Sequence, residues 1–390
     1  MNNNRVVQGS RRPGLQWVLT LVLALSLPPS GNANMPDEDP LQFDDTPLDE
    51  VLQYPDWFKK SFLELDEDLA EATANGKGGM LVYFGQKRCA YCKMLMEVNF
   101  QTPDIVAYTR EHFDVIPIDI WSPEQVTTPD GKSMSEREYA QALGTNFTPS
   151  LVFYDADGRI ALRLRGYYPP YQFRAALEYV AGGHYQREKF SVYMARGDKT
   201  LRFEAGDLVE QPFFTPPPYN LDRSRFPSEQ PLAVFFEQGD CHACDILHTQ
   251  PLNRITVRRL FNRIESVQLD MWADTPIVKP DGEQSTAKQW AQELEIFYAP
   301  SIVFFDERGK EIIRVDSVVR LFRLRNVLNY VISRGYLTEP NFLRWSSRTR
   351  RILDEGEAAE RPEPPEQPEP RERPTPPKPP QPPKLGLHGQ

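Results

Sequence analysis

The chain has 390 residues, of which 40% are hydrophobic, and a formal net charge of −10 at pH 7. This length and apolar content predict two or three folded domains of ordinary size, each with its own core. The acidic balance argues against nucleic acid as a main partner, because binding to phosphates requires a basic surface. It disfavours anionic membrane surfaces for the same reason.

The first 33 residues predict an export signal. Arg5, Arg11 and Arg12 precede a 13-residue apolar segment, Leu15–Leu27, and small residues follow up to Ala33, where a signal peptidase would cleave. The apolar segment is too short to span a bilayer comfortably. We therefore expect cleavage near Ala33 and a mature protein that is soluble in an exported compartment where disulfides persist.

An acidic linker is expected over residues 34–50, and a first domain (domain 1) over residues 51–185. The first helix of domain 1 ends at the turn signal Asn75-Gly76. A buried strand is expected over Met80–Phe84, and the first C-x-x-C motif follows it and opens a second helix. Later stretches predict a helix, a strand, a helix, two strands joined by an Asp-Gly turn, and a last helix. This order predicts an α/β domain with a mixed sheet flanked by helices. The first helix is predicted from four apolar residues at helical spacing: Phe58, Phe62, Leu65 and Leu69.

The second half of the chain repeats the first. Residues 119–158 align without a gap to residues 270–309, and 14 of the 40 positions are identical. Such self-similarity indicates a tandem duplication, so we expect a second domain of the same kind (domain 2) over residues 186–346. Domain 2 has diverged: the first helix of domain 1 has no clean counterpart in it, and the corresponding sequence is interrupted by prolines.

The last segment, residues 347–390, is charged at first and then rich in proline. Twelve prolines lie between Pro362 and Pro383. This composition cannot form a core and favours extended polyproline II structure, so a disordered tail is expected. The tail acts either as a solvated spacer or as a segment that docks a partner or reaches across the cell wall.

All four cysteines lie in two C-x-x-C motifs, Cys89 with Cys92 and Cys241 with Cys244. Because each motif opens a helix after a buried strand, its first thiol lies over unpaired backbone N–H groups at the positive end of the helix dipole. Both features stabilise a thiolate and make this sulfur a nucleophile. The second thiol is placed to attack a mixed disulfide and release the substrate. We therefore predict Cys89 and Cys241 as nucleophiles and Cys92 and Cys244 as resolving thiols.

Three other uses of the cysteines remain open from the sequence. Four thiolates could bind one structural zinc ion, but such sites bring both pairs into one compact unit, whereas each pair here has its own copy of the domain. One pair could bind a soft metal such as copper(I). A permanent structural disulfide would close too small a loop to restrict the unfolded chain much. We expect redox-active cysteine pairs with no metal and no other cofactor.

Domain 1 has a predicted strand, a C-x-x-C motif and a helix in succession, and Thr148-Pro149 follows, with Pro149 57 positions after Cys92. This arrangement resembles the thioredoxin fold. Domain 2 has Ala299-Pro300 in the same place. The resemblance implies that both prolines are cis and lie beside the active cysteines, and that the backbone of the preceding residue pairs with an extended substrate chain. The expected fold is therefore two tandem thioredoxin-fold domains followed by the tail.

Domain 1 is most similar to bacterial periplasmic thioredoxin-like proteins associated with sulfur oxidation. The stretches that carry this similarity are YFGQKRCAYCK, TPDG, TPSLVFYDADG and GYYPPYQFRAALEYV. Between its cysteines, Ala90-Tyr91 is closest to the Gly-Tyr of periplasmic disulfide isomerases. These two residues are therefore expected to modulate the site, and domain 1 is the better-supported active centre.

Two residues of domain 2 are candidates for modulating its site. Cytoplasmic thioredoxins have a buried acid six residues before the first cysteine as a proton relay, but Tyr83 and Phe235 stand there in this chain. Glu237, four residues before Cys241, could substitute for it, although the interpretation as an exposed loop carboxylate is favoured. His242 could stabilise a thiolate as imidazolium and make this site more oxidising, or it could be an exposed histidine with little coupling.

These inferences together predict an exported thiol–disulfide oxidoreductase that acts on disulfides of protein substrates, most simply in a Gram-negative periplasm. Reduction or isomerisation is favoured over oxidation because the dipeptide between the cysteines of domain 1, Ala90-Tyr91, is closest to that of periplasmic disulfide isomerases. A reductant in an oxidising compartment needs a membrane electron donor to keep it reduced. Two alternatives are a client-binding or chaperone module with at most one active redox site, and a thiol-reducing factor in the assembly of haem or copper proteins.

Overall fold

The computed structural model describes residues 39–197 and 205–360. The predicted signal over residues 1–33 and the proline-rich stretch from Pro362 to Pro383 lie outside the described residues. No helix within the described ranges is both long and apolar enough to cross a membrane. The α-helices of these ranges are α1 (Leu65–Ala74), α2 (Ala90–Glu97), α3 (Pro103–His112), α4 (Glu136–Ala142), α5 (Pro170–Ala181), α6 (Phe190–Gly197), α7 (His242–Thr249), α8 (Ile255–Phe261), α9 (Ala287–Glu293), α10 (Leu321–Ile332) and α11 (Phe342–Glu360). The strands are β1 (Gly79–Gly85), β2 (Phe113–Asp119), β3 (Gln125–Thr127), β4 (Ser133–Ser135), β5 (Ser150–Asp155), β6 (Ile160–Arg165), β7 (Tyr219–Asn220), β8 (Leu232–Glu237), β9 (Glu265–Asp270), β10 (Pro276–Val278), β11 (Gln284–Thr286), β12 (Ser301–Phe305) and β13 (Glu311–Val315).

Domain 1 contains a four-stranded mixed sheet in the order β2-β1-β5-β6. β1 runs parallel to β2 and antiparallel to β5, and β5 pairs antiparallel with β6. Leu81 and Tyr83 of β1 belong to one core cluster, and Met80, Val82 and Phe84 belong to another. The two-residue period of a strand places these two sets on opposite faces of the sheet, so β1 is buried on both sides. This burial explains why its sequence is a continuous apolar run.

Domain 2 repeats this sheet in the order β13-β12-β8-β9, with the same parallel and antiparallel pairings. Its central strand β8 likewise alternates between two core clusters. The predicted α/β class and the tandem duplication are therefore confirmed. Between α6 and β8 the described residues contain only the two-residue strand β7 and no helix, so the first helix of domain 1 has no counterpart there, as expected.

The segment after β2, residues 120–135, contains a small hairpin that the sequence did not indicate. β3 pairs with β4, and in domain 2 β10 pairs with β11 and with β7. Strands of two or three residues are too short to show a two-residue period. The helix that follows the hairpin was predicted, and Ser135 is its N-cap residue in a capping box in which the Glu138 carboxylate accepts a hydrogen bond from the Ser135 N–H.

The first helix is shorter than predicted. α1 begins at Leu65, and the side chain of Phe62 is 95% exposed. Leu63 has a φ of +65°. This left-handed backbone conformation cannot be part of a right-handed α-helix, so the helix does not extend back through this residue. Phe58 is buried, but it packs against the core from an irregular segment. The predicted end is correct, because Gly76 lies at φ +81° just after the helix.

The described part of the acidic linker packs against the folded domains. Leu41 and Asp45 are buried. The ring of Phe43 contacts the rings of Tyr91 and Tyr167 edge-on, at centroid distances of 5.0 Å and 6.2 Å. The apolar residues among the acidic ones therefore anchor this segment at the first C-x-x-C motif.

Two predicted boundaries fall inside structural units. Phe190 and Met194 of α6 lie in the core cluster of domain 1. The predicted boundary between residues 185 and 186 therefore assigns to domain 2 a helix that packs on domain 1. α11 continues to Glu360, so the predicted start of the tail at residue 347 lies within a helix.

The two domains pack directly against each other. Ile246, Tyr298 and Val318 of domain 2 belong to the core cluster of domain 1 that contains Cys89. Phe147 of domain 1 belongs in turn to a core cluster of domain 2. Apolar side chains from both domains are therefore buried together beside the first cysteine motif.

Candidate active sites at the two cysteine pairs

The first cysteine pair (site 1) begins helix α2. Cys89 is the N-cap residue in an extended conformation, and its Sγ accepts a hydrogen bond from the Cys92 N–H at 3.0 Å. The two sulfurs form a disulfide. The predicted placement at a helix N-terminus is thus observed, and on reduction the backbone N–H and the helix dipole would both favour a thiolate on Cys89.

A short chain of hydrogen bonds supports site 1 from the loop before the motif. The Thr148–Pro149 peptide bond is cis, and Thr148 Oγ1 lies 3.3 Å from Cys89 Sγ. Gln86 Nε2 donates to Thr148 Oγ1 at 2.9 Å, and Trp121 Nε1 donates to Gln86 Oε1 at 2.9 Å. Gln86 therefore orients the threonine beside the disulfide, a role that no pattern in the sequence indicated.

The second cysteine pair (site 2) has the same local geometry. Cys241 is the N-cap of α7, its Sγ accepts from the Cys244 N–H at 3.1 Å, and the two cysteines form a disulfide. The Ala299–Pro300 bond is cis, and Cys241 Sγ lies 3.7 Å from the Ala299 carbonyl oxygen. His242, the first residue of α7, is exposed.

Glu237 is a buried residue, so its interpretation as an exposed loop carboxylate is wrong. It is 1% exposed at the end of β8. Its carboxyl oxygens lie 2.9 Å and 3.0 Å from Nε2 of His248, which is 2% exposed, and Gln268 Nε2 donates to one of them at 2.8 Å. Gln211 Nε2 lies 3.1 Å from the other ring nitrogen of His248. A buried polar cluster therefore lies beneath α7, one turn beyond Cys244.

Domain 1 has apolar residues at the equivalent positions. Gly85 precedes Cys89 by four residues, as Glu237 precedes Cys241, and Met96 stands where domain 2 has His248. A side chain at Gly85 would collide with the ring of Tyr83, whose hydroxyl is buried without a hydrogen-bond partner among the described residues. Burial raises the pKa of Tyr83 well above its ordinary value. The two sites therefore share a backbone geometry but differ in the polarity beneath them.

Tyr91, between the cysteines of site 1, is held by groups from outside its own domain. Its hydroxyl donates to Asp45 Oδ2 at 2.8 Å and accepts from the Arg320 N–H at 2.8 Å. The guanidinium of Arg323 lies 3.3 Å from the centre of its ring, a close cation–π contact. Burial raises the pKa of Tyr91 well above its ordinary value. Tyr91 is therefore a neutral residue of the domain interface.

Arg323 of domain 2 reaches the residue before the cis-proline of domain 1. Its Nη2 donates to the Thr148 carbonyl oxygen at 2.8 Å, and the side chain is buried. Asp45 accepts from the backbone N–H groups of Phe322 and Arg323, both at 2.8 Å, in the first turn of α10. A carboxylate at a helix N-terminus is stabilising, so Asp45 fixes α10 and Tyr91 at once. Burial lowers the pKa of Arg323, but an arginine remains a cation at neutral pH.

The two sites differ in exposure. Cys89 is 5% exposed, and Ala90, Tyr91, Cys92, Thr148 and Pro149 are buried with it. At site 2, Cys241, Ala243 and Ala299 are partly exposed, while Cys244 and Pro300 are buried. In each domain the structure places the cysteine pair at the start of a helix, and it buries the cysteines and the residue before the cis-proline of site 1 more completely than those of site 2.

The cysteine pairs do not share a metal site in this structure, because each pair is bonded within its own domain. Within residues 39–197 and 205–360, no group of three or more histidine, cysteine, aspartate or glutamate residues is arranged to hold a metal ion. The four-thiolate zinc arrangement is therefore not present among the described residues, where both pairs are disulfides.

Comparisons with known proteins place the chain in a family. Among solved structures, a thioredoxin-fold protein from Helicobacter pylori is 30% identical over 30% of this chain and 83% of its own, with a TM-score of 0.28. A thioredoxin from Thermus thermophilus is 27% identical over 30% of this chain and 83% of its own, with a TM-score of 0.24. A disulphide isomerase from Xylella fastidiosa is 19% identical over 38% of this chain and all of its own, with a TM-score of 0.23. No curated protein matches the chain. The family model of the thioredoxin-like domain matches residues 65–181 and 227–332, which are more than half of the chain. The chain therefore belongs to the thioredoxin-like domain family, with one copy of the domain in each half.

Proposed function

We propose that the protein is a thiol–disulfide oxidoreductase that acts on protein disulfides, with reduction or isomerisation favoured over oxidation. The observation that carries the proposal is the repeated geometry of the N-cap cysteine. In both domains the first sulfur caps a helix and accepts the backbone N–H of the second cysteine. A sulfur held in this way is stabilised as a thiolate once the disulfide is reduced.

The exchange follows from the positions of the two sulfurs. In the reduced protein, the thiolate of the first cysteine attacks one sulfur of a substrate disulfide, and the other substrate sulfur leaves as a thiolate that takes up a proton. The second cysteine then loses its proton and attacks the mixed disulfide. The substrate leaves as a dithiol and the protein is left with the intramolecular disulfide seen here. Two electrons pass from protein to substrate, and the reverse sequence oxidises a substrate dithiol.

The substrate chain is proposed to bind beside the cis-prolines. The family resemblance implies that the backbone of Thr148 and of Ala299 pairs with an extended polypeptide. The Ala299 carbonyl lies 3.7 Å from Cys241 Sγ, close enough for a paired strand to bring its own disulfide to the nucleophile. Proteins with accessible disulfides are therefore the proposed partners.

We also propose that the protein works in the periplasm after removal of residues 1–33, and that a membrane electron donor reduces it there. The proposal rests on the leader sequence and on the need of a reductant for electrons in an oxidising compartment. Fractionation of cells that express the full chain would test the first part. Recovery of the protein in the cytoplasm with its leader intact would refute it.

Reduction potentials test the proposed activity. The parent, Cys89→Ser and Cys241→Ser are equilibrated with glutathione buffers, and each remaining disulfide is quantified by thiol trapping. Potentials in the range of thioredoxins and isomerases, roughly −270 to −180 mV, would support reduction or isomerisation. A value near about −120 mV would instead indicate a strong oxidant. The absence of any exchangeable disulfide in the parent would refute the activity and favour the client-binding function.

A further inference from the structure

We propose that, in the oxidised protein, external thiols exchange first with site 2, because domain 2 occupies the position in site 1 where a substrate would bind. The proposal rests on the proposed function and adds an order to its two sites. The part of domain 2 that occupies this position is residues 316–323, which we call the cover.

The end of the cover occupies the backbone acceptor of site 1. A substrate strand at the cis-proline would donate a backbone N–H to the Thr148 carbonyl, but Arg323 Nη2 already donates to it at 2.8 Å. The guanidinium also lies over the ring of Tyr91, between the two cysteines. The same side chain therefore fills the acceptor and shields the dipeptide of the active-site turn.

The start of the cover pairs with domain 1 through backbone groups. The Val318 N–H donates to the Tyr167 carbonyl at 3.1 Å, and the Tyr168 hydroxyl donates to the Asp316 carbonyl at 2.8 Å. Gly166, at φ +109°, permits this approach, because a side chain there would collide with Ser317. The cover is thus fixed at both ends.

The contact is asymmetric although the domains are copies. Residues 166–170 and 317–321 are equivalent in the repeat, and they face each other at the interface. The counterpart of Arg323 in domain 1 is Gln172, a shorter and uncharged side chain whose Oε1 is buried without a hydrogen-bond partner among the described residues. Domain 2 therefore covers site 1, whereas domain 1 leaves Cys241 partly exposed.

The proposed first step consumes no group beyond the partner's two thiols. A partner thiolate attacks Cys241 Sγ, the bond to Cys244 Sγ breaks, and Cys244 leaves as a thiolate that takes up a proton. A second partner thiolate attacks the partner sulfur of the mixed disulfide and frees Cys241. The partner is oxidised to a disulfide and site 2 is reduced to a dithiol, with the transfer of two electrons.

The experiment follows the reduction of each disulfide in the oxidised full chain. Dithiothreitol and reduced, unfolded ribonuclease A serve as a small and a large thiol. Free thiols are trapped with N-ethylmaleimide over time, and peptides containing Cys89 and Cys241 are quantified by mass spectrometry. Site 2 is expected to be reduced at least about tenfold faster than site 1. The reason is that site 1 becomes accessible only when the charged hydrogen bond from Arg323 to the Thr148 carbonyl opens. The ratio is expected to be larger for the protein thiol.

Two variants connect this order to the cover. Arg323→Ala is expected to raise the reduction rate of site 1 by about tenfold and to leave site 2 unchanged. Arg325→Ala, on an exposed position of the same helix, is the matched control and should change neither rate. Asp45→Asn weakens the cover from another segment by removing the charge at the start of α10 and should also accelerate site 1 alone.

The outcomes separate this inference from the proposed function. Equal rates at both sites in the parent, or no acceleration of site 1 by Arg323→Ala, would overturn the inference and leave the function standing. Acceleration of both sites by Arg323→Ala would also count against it, because general unfolding would then explain the result. If neither thiol reduces either disulfide, the proposed function itself fails.

Discussion

Replacement of His248 with methionine is expected to destabilise domain 2 by about 3 kcal/mol. The buried Glu237 carboxyl has His248 Nε2 and the Gln268 amide as its hydrogen-bond partners. Methionine fits the position, because Met96 is buried at the equivalent place in domain 1. A buried polar group that loses its hydrogen-bond partner costs roughly 1–3 kcal/mol, and more when the group is charged, so the expected effect at this carboxyl is about 3 kcal/mol although the bond from Gln268 remains.

Hydrogen exchange measures this loss in the whole chain, strand by strand. A loss of about 3 kcal/mol corresponds to roughly 150-fold faster exchange of the slowest amides, when exchange follows the opening equilibrium. The effect is expected in β8 and β12 of domain 2, while β1 and β5 of domain 1 serve as an internal reference. Glu229→Gln, which changes an exposed carboxyl of the same domain, is the control and should leave exchange unchanged.

A second substitution tests whether the unpartnered carboxyl is the cause. In the His248→Met background, Glu237→Gln replaces the carboxyl by a neutral amide that still accepts from Gln268. Exchange in β8 should then slow again, because burial of a neutral amide costs less than burial of a carboxylate that has lost a partner. The reasoning would be refuted if the rate of hydrogen exchange in β8 increased less than about threefold in the single variant, or if the double variant did not slow this exchange again.

Two further predictions concern the domain interface. Burial raises the pKa of Asp316, so its contribution to stability is complete below the unfolded value of about 3.9 and is lost as pH rises through the raised folded value. Asp316→Asn should therefore become progressively more stable than the parent as pH rises above about 4, and a difference in thermal midpoint that is constant with pH would contradict this. Gly166→Ala should lower the thermal midpoint more than Gly131→Ala, because both positions have positive φ but only Gly166 faces a neighbouring side chain, that of Ser317. Equal losses would show that backbone conformation alone decides the effect.

The parts of the site that local sequence encodes were predictable. The apolar run of β1 followed by Cys89 indicates a strand that leads into a helix N-terminus, and the structure has both. Gly76 after the first helix has the predicted left-handed conformation. These features depend on hydrogen bonds and backbone preferences within a few residues, which a single sequence displays directly.

The contacts that enclose site 1 could not be predicted in this way. Arg323 and Thr148 lie 175 positions apart, and no local pattern marks an arginine in an amphipathic helix as a partner for a carbonyl in another domain. Asp45 looked like one of many acids in a linker, although it caps a helix from domain 2. Glu237 and His248 offered a weak signal, since each is a few residues from the second motif, but only the fold shows that both are buried.

The cover is compatible with catalysis at site 1 because its main polar contact can be exchanged for a similar one. A substrate strand that displaces Arg323 would offer its own backbone N–H to the Thr148 carbonyl, so this acceptor would remain satisfied. The displaced guanidinium would return to water, which removes the cost of its burial. Opening therefore has to overcome the apolar contacts of Val318, the hydrogen bonds that join the start of the cover to Tyr167 and Tyr168, and the capping of α10 by Asp45. A partner that forms a longer paired segment compensates for more of this loss, so site 1 should discriminate among extended polypeptides more strongly than site 2.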